Sequence, residues 1–470
     1  MNPISKFFEV CKSKPQEIAI ASTEIQITFH DLELSVRLFA AAFSHAGVKA
    51  GDFVAISAKT EVECVATLAL LQLAAVSMSG SEPVLRSYQN QIDFLITDNG
   101  DNMFPTNKKI VIDQEFMAGL GRFKPVSDVS ETNEQDFVRM VFSSGTTGTP
   151  KGVPFTAKNL VTRTNSANSN WMPELPFMSL LGLDTVTGMQ TFYWAMFSGN
   201  KFFVSTNGPN NLTLIRKFDV RCIKSSPARL KDLLSAAEVE PTPTCLKVVE
   251  IAGSLLEVKT VENCERILGI NPTYLYGSTE VGTVTKGAFS KSKPNKVGRP
   301  VEDVEFGIAD ESGVSVANGV IGRIRYRKAE MPEDYWLTPS SGKTGFLDGW
   351  FYPGDIGVVN DQGELELQGR SDDVVNLGGS KFNLLELDTW LQGLALFDEV
   401  ATFQFQDASG ATEIGIAFVS ENPPIPELLL KRVRAFIPDL NFKHMLRVKK
   451  LPRNRLDKVD RKALAELISR

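Results

Sequence analysis

The 470-residue sequence predicts an α/β protein with a small α+β domain at its C-terminal end. Three observations predict it: helical and strand-like apolar patterns alternate, strand-like runs end in small-residue turns, and the pattern resets after Arg370. Such alternation favours a sheet covered by helices. A chain of this length exceeds one ordinary domain.

The elements follow in order. Thr28 and Asp31 have capping-box spacing, and Leu32, Val36, Phe39 and Phe43 recur at helical intervals, so a helix is expected with a stop at Gly47. Phe53-Val54-Ala55-Ile56 reads as a buried strand and Thr60 to Ala75 as a second apolar helix. Val138 to Phe142 is another strand-like run. Leu246 to Ile251 ends in Ala252-Gly253-Ser254, and Tyr274-Leu275-Tyr276 ends in Gly277. Ligands of open α/β sheets bind beyond the carboxyl ends of strands, which makes these turns the candidate site. Gly345 to Gly369 is rich in turn signals and predicts short β elements at a domain edge. Beyond Arg370, Asn383 and Glu386 can cap a helix, Glu413 to Val419 alternates like a strand, and Pro426 to Ile437 reads as a helix.

Composition removes several function classes. A net charge of -6 gives no footprint for nucleic acid, and the basic run Arg447 to Arg461 reads as a solvated surface. The 5 cysteines (Cys11, Cys64, Cys222, Cys245 and Cys264) form no CxxC pair, so reduced core thiols are expected rather than zinc ligands or disulfides. Only 3 histidines, His30, His45 and His444, are present for a triad or a metal site. The first residues lack a signal-like apolar region, and the apolar stretch Cys64 to Val76 is interrupted by Gln72 and too short for a membrane span. A cytoplasmic location is the expectation.

The most informative segment is Ser143-Ser144-Gly145-Thr146-Thr147-Gly148-Thr149-Pro150-Lys151-Gly152. Glycines let a backbone approach a ligand closely, hydroxyls and free N–H groups donate hydrogen bonds, and Lys151 adds positive charge, a combination suited to a polyphosphate. No Gly-Lys-Ser/Thr ends it, so it is not a Walker A loop. The same composition also serves flexible linkers. Here it lies between two apolar segments, Val138-Phe142 and Val153-Phe155.

Taken in order, this loop, Tyr276-Gly277-Ser278-Thr279-Glu280, Gly349-Trp350-Phe351-Tyr352-Pro353-Gly354-Asp355, Gly369-Arg370-Ser371-Asp372-Asp373 and a C-terminal Lys458 resemble the adenylate-forming superfamily. That superfamily comprises acyl-CoA synthetases, adenylation domains of nonribosomal peptide synthetases, and luciferases. Ile27-Thr28-Phe29 and Gly51-Asp52 are similar as well, and the resemblance runs over essentially the whole chain. It implies a large N-terminal domain of layered α/β subdomains over 1–369, a hinge at 370–372 and a small mobile α+β domain over 373–470.

The resemblance also implies roles. Ser143, Ser144, Gly145, Thr146, Thr147, Gly148 and Lys151 would hold the β- and γ-phosphates of ATP. Gly253, Ser254, Tyr276 and Gly277 would take the nucleotide, with Tyr276 stacked on adenine. Thr279 would meet the α-phosphate, Glu280 would hold Mg²⁺, and Asp355 and Arg370 would bind the ribose. Asp372 would be the hinge, and Gly379 and Lys381 would enter the site in a second conformation. Lys458 would bridge the substrate carboxylate and the α-phosphate, completing a catalytic set of Lys458, Lys151, Thr279 and Glu280. Departures from the family pattern are Pro353, where Thr or Ser is commoner, Asp457 in place of a glycine, and no histidine among residues 179–185.

The acyl pocket implied lies between residues 180–195 and the turns at 252–256 and 275–281, with Asp184, Phe192, Ala252 and Leu275 as candidates. Asp184 also reads as a surface or capping residue, and Phe192 with its aromatic neighbours as core. The expected reaction is ATP-dependent activation of a carboxylic acid to an acyl-adenylate with release of pyrophosphate. The acyl group then passes to a thiol, of CoA or of phosphopantetheine on a separate carrier protein. A carboxylate is already ionised near neutral pH, so no general base is needed. The alternatives are a non-catalytic nucleotide- or acyl-binding protein on the same fold and an amino-acid-adenylating enzyme.

Overall fold

The computed structural model describes residues 2–98, 108–143, 150–169, 176–241, 243–254, 256–329, 331–337, 345–371, 374–377, 380–407, 412–437, 440, 442–453 and 459–468. The chain divides into two compact units. One comprises 1–294, 300–305 and 327–351; the other comprises 295–299, 306–326 and 352–470.

The first unit contains a 6-stranded sheet in the order Lys109–Val111, Phe94–Thr97, Phe53–Ser57, Val76–Ser79, Phe137–Ser143, Lys151–Thr156. Its strands run parallel except for the last pair, an antiparallel hairpin that sets Ser143 opposite Lys151. Successive side chains of a strand face opposite sides. Val54 and Ile56 accordingly enter the core beneath the helices Phe29–His45 and Thr60–Gln72, while Ala55 joins Met78, Leu95 and Met140 on the other face. Thr28 caps the first of these helices by accepting from the Asp31 amide at 3.1 Å, as its spacing predicts. The helix ends at His45, and Gly47 follows with φ 98°.

A second sheet of this unit orders Phe177–Ser179, Cys222–Ser225, Val248–Ile251 and Thr273–Ser278 in parallel, and Gly282–Ala288 returns antiparallel to the last. The expected strand at Tyr274 does not stop at Gly277. It runs on to Ser278, because the returning strand pairs with it as far as Gly282. That pairing requires glycine at 277, where an added Cβ would lie 2.0 Å from the Gly282 carbonyl oxygen.

The second unit holds the antiparallel strands Asp355–Val359 and Leu365–Arg370, part of the short β elements expected from the glycine-rich stretch. Its C-terminal part is a 3-stranded sheet of Glu399–Gln406, Thr412–Val419 and Phe442–Arg447. The helices Leu384–Gly393 and Pro426–Phe436 share its apolar core. Partly buried Asp388 accepts from the Thr402 hydroxyl at 2.7 Å and pairs with Arg461 at 2.8 Å, fastening the final helix Arg461–Glu466 to this sheet. Arg453 and Val459 form a bridge that closes the ends of the segment containing Lys458.

All 5 cysteines are free thiols, and Cys11, Cys64, Cys222 and Cys264 are buried. Burial pushes the thiols of Cys11, Cys222 and Cys264 up to about 12, which keeps them protonated and inert. Among the described residues, no helix is long and apolar enough to cross a membrane. Thr28→Ala removes the cap of the helix Phe29–His45, and urea denaturation is expected to show a loss of about 1 kcal/mol.

Candidate active site

Lys151 opens the strand that follows the hydroxyl- and glycine-rich loop. Its ammonium stands 4.8 Å from the centre of the Tyr335 ring. The Tyr335 hydroxyl donates to Glu280 Oε1 at 2.6 Å. Lys151 and Glu280, separate motifs in the sequence, are therefore joined through one aromatic side chain. The ring face attracts the cation, and the hydroxyl fixes one carboxylate oxygen with a charge-assisted bond.

The segment carrying Tyr335 is itself seated on the loop's exit strand. Trp336 pairs with Gly152, its amide donating to the Gly152 carbonyl at 2.8 Å. Its indole stacks on Phe53 at 4.4 Å and on Tyr88 at 5.6 Å, and the Tyr88 hydroxyl donates to the Pro150 carbonyl at 2.7 Å. These aromatics hold Pro150 and Gly152 in place.

Glu280 and Thr279 occupy the turn between the strands Thr273–Ser278 and Gly282–Ala288. Arg163, on the helix Ala157–Ser169, holds that turn from inside. It is 2% exposed and donates to the Thr279 carbonyl at 2.9 Å and the Glu280 carbonyl at 3.1 Å. Its guanidinium lies 4.4 Å from the Phe155 ring centre. Burial pulls Arg163 down to about 10, opposed by the Glu280 carboxylate, which leaves it charged at neutral pH.

The strand end at 251 leads into Gly253, with φ 100°, and Ser254, whose carbonyl accepts from the Tyr274 hydroxyl at 3.2 Å. Tyr276 is partly exposed and Gly277 exposed. In the second unit, Asp355 and Arg370 are register partners, and Arg370 donates to Asp355 Oδ1 at 2.8 Å and to the Pro353 carbonyl at 2.8 Å. The two expected ribose contacts are thus bonded to each other. Ser144, Gly145, Thr146, Thr147, Gly148, Asp372, Gly379 and Lys458 lie outside the described residues, and nothing is described of the Lys381 side chain.

Asp184 lies in the turn before the helix Val186–Ser198. Buried Arg139 donates to the Leu183 carbonyl at 2.8 Å and to the Ser79 hydroxyl at 2.8 Å, with Glu63 3.6 Å away, and so pins that turn to the other sheet. Burial raises the Glu63 carboxyl, with Arg139 opposing. Phe192 is fully buried in the main core, 5.1 Å from Phe202. Ala252 is partly exposed at its strand end, and Leu275 is buried.

Sequence reading passed over Arg139, Arg163 and Tyr335. The first two carried a signal: Arg139 interrupts the apolar run Phe137–Phe142, and Arg163 falls three residues after buried Leu160 on one helix face. Tyr335 had none, since only tertiary packing sets it against a carboxylate 55 residues away.

A family model described as AMP-binding enzyme matches residues 7–336. The chain belongs to this family of adenylate-forming enzymes. It is 25% identical over 455 residues to 4-coumarate–CoA ligase 4 of Arabidopsis thaliana, covering 84% of this chain and 77% of the relative. It is 24% identical over 485 residues to a 2-succinylbenzoate–CoA ligase of Geobacillus kaustophilus, covering 97% and 96%. The solved structure of an O-succinylbenzoate coenzyme A synthetase from Bacillus subtilis, in complex with ATP and magnesium ion, shares the fold. Its TM-score is 0.84 at 20% identity, over 98% of each chain.

The donor set in this AMP-binding fold suits Mg²⁺. Glu280 supplies one buried carboxylate, and Mg²⁺ typically takes one or two carboxylates with phosphate oxygens and water. Among the described residues, no group of three or more His, Cys, Asp or Glu stands ready to cage a metal by protein ligands alone. Tyr335→Phe is expected to raise the Mg²⁺ concentration for half-maximal adenylation about tenfold, since it removes a charge-assisted bond of about 1.5 kcal/mol or more. Arg163→Met leaves two carbonyls unpaired and is expected to destabilise by about 2–5 kcal/mol in urea denaturation. Arg163→Lys should recover part of that loss.

Proposed function

We propose that the chain activates a carboxylic acid with ATP as an acyl-adenylate, releases pyrophosphate, and passes the acyl group to the thiol of CoA. The linked Lys151–Tyr335–Glu280 arrangement supports this reading, since it joins a cation to a metal-competent carboxylate through one aromatic side chain. The CoA-ligase relatives support the acceptor. A carrier-protein phosphopantetheine presents the same thiol and belongs to the same test.

The reaction needs positioning and charge stabilisation rather than proton transfer. The acid's carboxylate oxygen attacks the α-phosphorus in line, and the bond to the pyrophosphate oxygen breaks. Lys151 and the loop residues Ser143, Ser144, Gly145, Thr146, Thr147 and Gly148 receive the charge that builds on the leaving group. Mg²⁺ held by Glu280 supplies further neutralisation of the phosphate oxygens when bound. Thr279 meets the α-phosphate, Tyr276 the adenine beside Gly277, Gly253 and Ser254, and Asp355 and Arg370 the ribose. Asp355 is an acceptor-only group suited to two hydroxyl donors, and Arg370 fixes its direction.

Lys458 is assigned the bridge between the substrate carboxylate and the α-phosphate, on a small domain of residues 373–470 that turns about Asp372 between half-reactions. Asp457 beside it sets a carboxylate where the family usually has glycine.

Acid-dependent ATP–pyrophosphate exchange with short, medium, long, aromatic and amino acids tests the first step, and CoA-dependent thioester formation tests the second. Lys458→Ala is expected to keep ATP binding and lose adenylation by about 100-fold or more. Wild-type exchange rules out a non-catalytic binding protein. ATP binding without exchange on any acid would sink the ligase reading.

A further inference from the structure

The strand Glu399–Gln406 lies at one edge of the C-terminal sheet, with Thr412–Val419 as its neighbour on the other side. An edge strand presents backbone N–H and C=O groups that no ladder satisfies. Two side chains answer them at Thr402. Asp388, on the helix Leu384–Gly393, accepts from the Thr402 amide and hydroxyl through Oδ1. Arg461, at the start of the final helix, pairs with Asp388 Oδ2 at 2.8 Å and donates to the Thr402 carbonyl. Three residues earlier on the same strand, Glu399 pairs with Arg453.

Arg453 and Arg461 stand on either side of Lys458 in the chain. Residues 454–458 lie outside the described residues, but both ends of that segment are bonded. Arg453 and Val459 bridge each other, and the Asp460 amide donates to the Pro452 carbonyl at 2.8 Å. Leu451 before the segment and Leu464 after it are buried with Ala401, Phe403 and Ala417, and Val459 packs against the same cluster. Asp460 caps the final helix by accepting from the Ala463 amide at 3.0 Å. Each end is thus held twice, by an apolar anchor and by an arginine–carboxylate pair on one strand.

Partly buried ion pairs bring little stability that apolar residues would not, because desolvation offsets their attraction. What they add is direction, since a planar guanidinium fixes the line on which its partner lies. Lys458 immediately precedes Val459, so its Cα lies about 3.8 Å from one that the bridge holds. Placement of that kind matters to chemistry, because a shift of about 1 Å in a reacting group can cost about 100-fold in rate.

We propose that Asp388 and Glu399 are positioning residues for Lys458, fixing through Arg461 and Arg453 the two stems between which it is carried. This rests on the adenylation reading above and on the role proposed there for Lys458. The bridge from substrate carboxylate to α-phosphate belongs to adenylation. Attack of a thiol on the carbonyl carbon of the finished acyl-adenylate does not use it. The two ion pairs therefore serve one half-reaction and not the other.

The test is ATP–pyrophosphate exchange with whichever acid of the panel above wild type uses fastest, beside thioester formation from that acid's synthetic acyl-adenylate and CoA. Asp388→Asn keeps an oxygen for Thr402 and removes the charge that Arg461 pairs with. It is expected to lower kcat for exchange about tenfold, with KM for ATP within about twofold and thioester formation unchanged. Glu399→Gln should show the same split, and Arg461→Lys should retain part of the exchange that Arg461→Met loses. On a Lys458→Ala background, Asp388→Asn should cost nothing further, because both act through one group. Thermal denaturation checks that each variant is folded; should Asp388→Asn not fold, Glu399→Gln decides alone. Undiminished exchange in the folded variants, equal losses in both half-reactions, or a further loss on the Lys458→Ala background overturns the proposal and leaves the ligase reading standing. Silence of the wild type with every acid brings down both.

Discussion

The bonds from Arg163 to the carbonyls of Thr279 and Glu280 are the constraint on which much of the first unit's site depends. A tight turn between antiparallel strands leaves carbonyls without ladder partners, and burying them unpaired is costly. Arg163 answers both with one planar donor, which is why its charge is tolerated inside the fold. Because the helix bearing Arg163 follows the strand of Lys151, the same contact ties that strand to the turn carrying Glu280. Tyr335 closes the arrangement from the other side, with its ring against Lys151 and its hydroxyl on Glu280.

This arrangement suits chemistry that needs no proton abstraction. A reaction whose nucleophile is already an anion needs charges held still, in a site where they need not reorganise as the leaving group departs. Lys151 stands over an aromatic face, Glu280 keeps one oxygen fixed by a phenol, and Asp355 is braced by Arg370. Each charged group is oriented by a neighbour rather than left to its rotamers. The scarcity of histidine in the chain fits the same requirement.

The two sheets of the first unit use buried charge differently. In the first, Arg139 spends its donors on the Ser79 hydroxyl and the Leu183 carbonyl, and its effect is to anchor a turn. In the second, Lys224 and Lys286 both approach the buried Glu250 carboxylate, at 3.5 Å and 2.7 Å. The first pattern sets a guanidinium on a backbone carbonyl and a hydroxyl, with the Glu63 carboxylate 3.6 Å away. The second joins charge to charge across the sheet.

The sequence by itself determined what depends on near neighbours in the chain. The helix beginning after Thr28, the strand Phe53–Ser57, the strand leading into the hydroxyl- and glycine-rich loop, and the C-terminal strand Thr412–Val419 all follow from periodicity and capping. The ordered motifs likewise point to the adenylate-forming family. Tertiary structure alone decided the rest. The strand at Tyr274 runs to Ser278 because its partner pairs that far, and no local signal carries that information. Tyr335 meets Glu280, Arg163 reaches under the turn, and Lys224 finds Glu250 only because separate strands and helices are brought side by side. Local propensity acts over a few residues, whereas burial and pairing of charge are settled by which elements the fold makes neighbours.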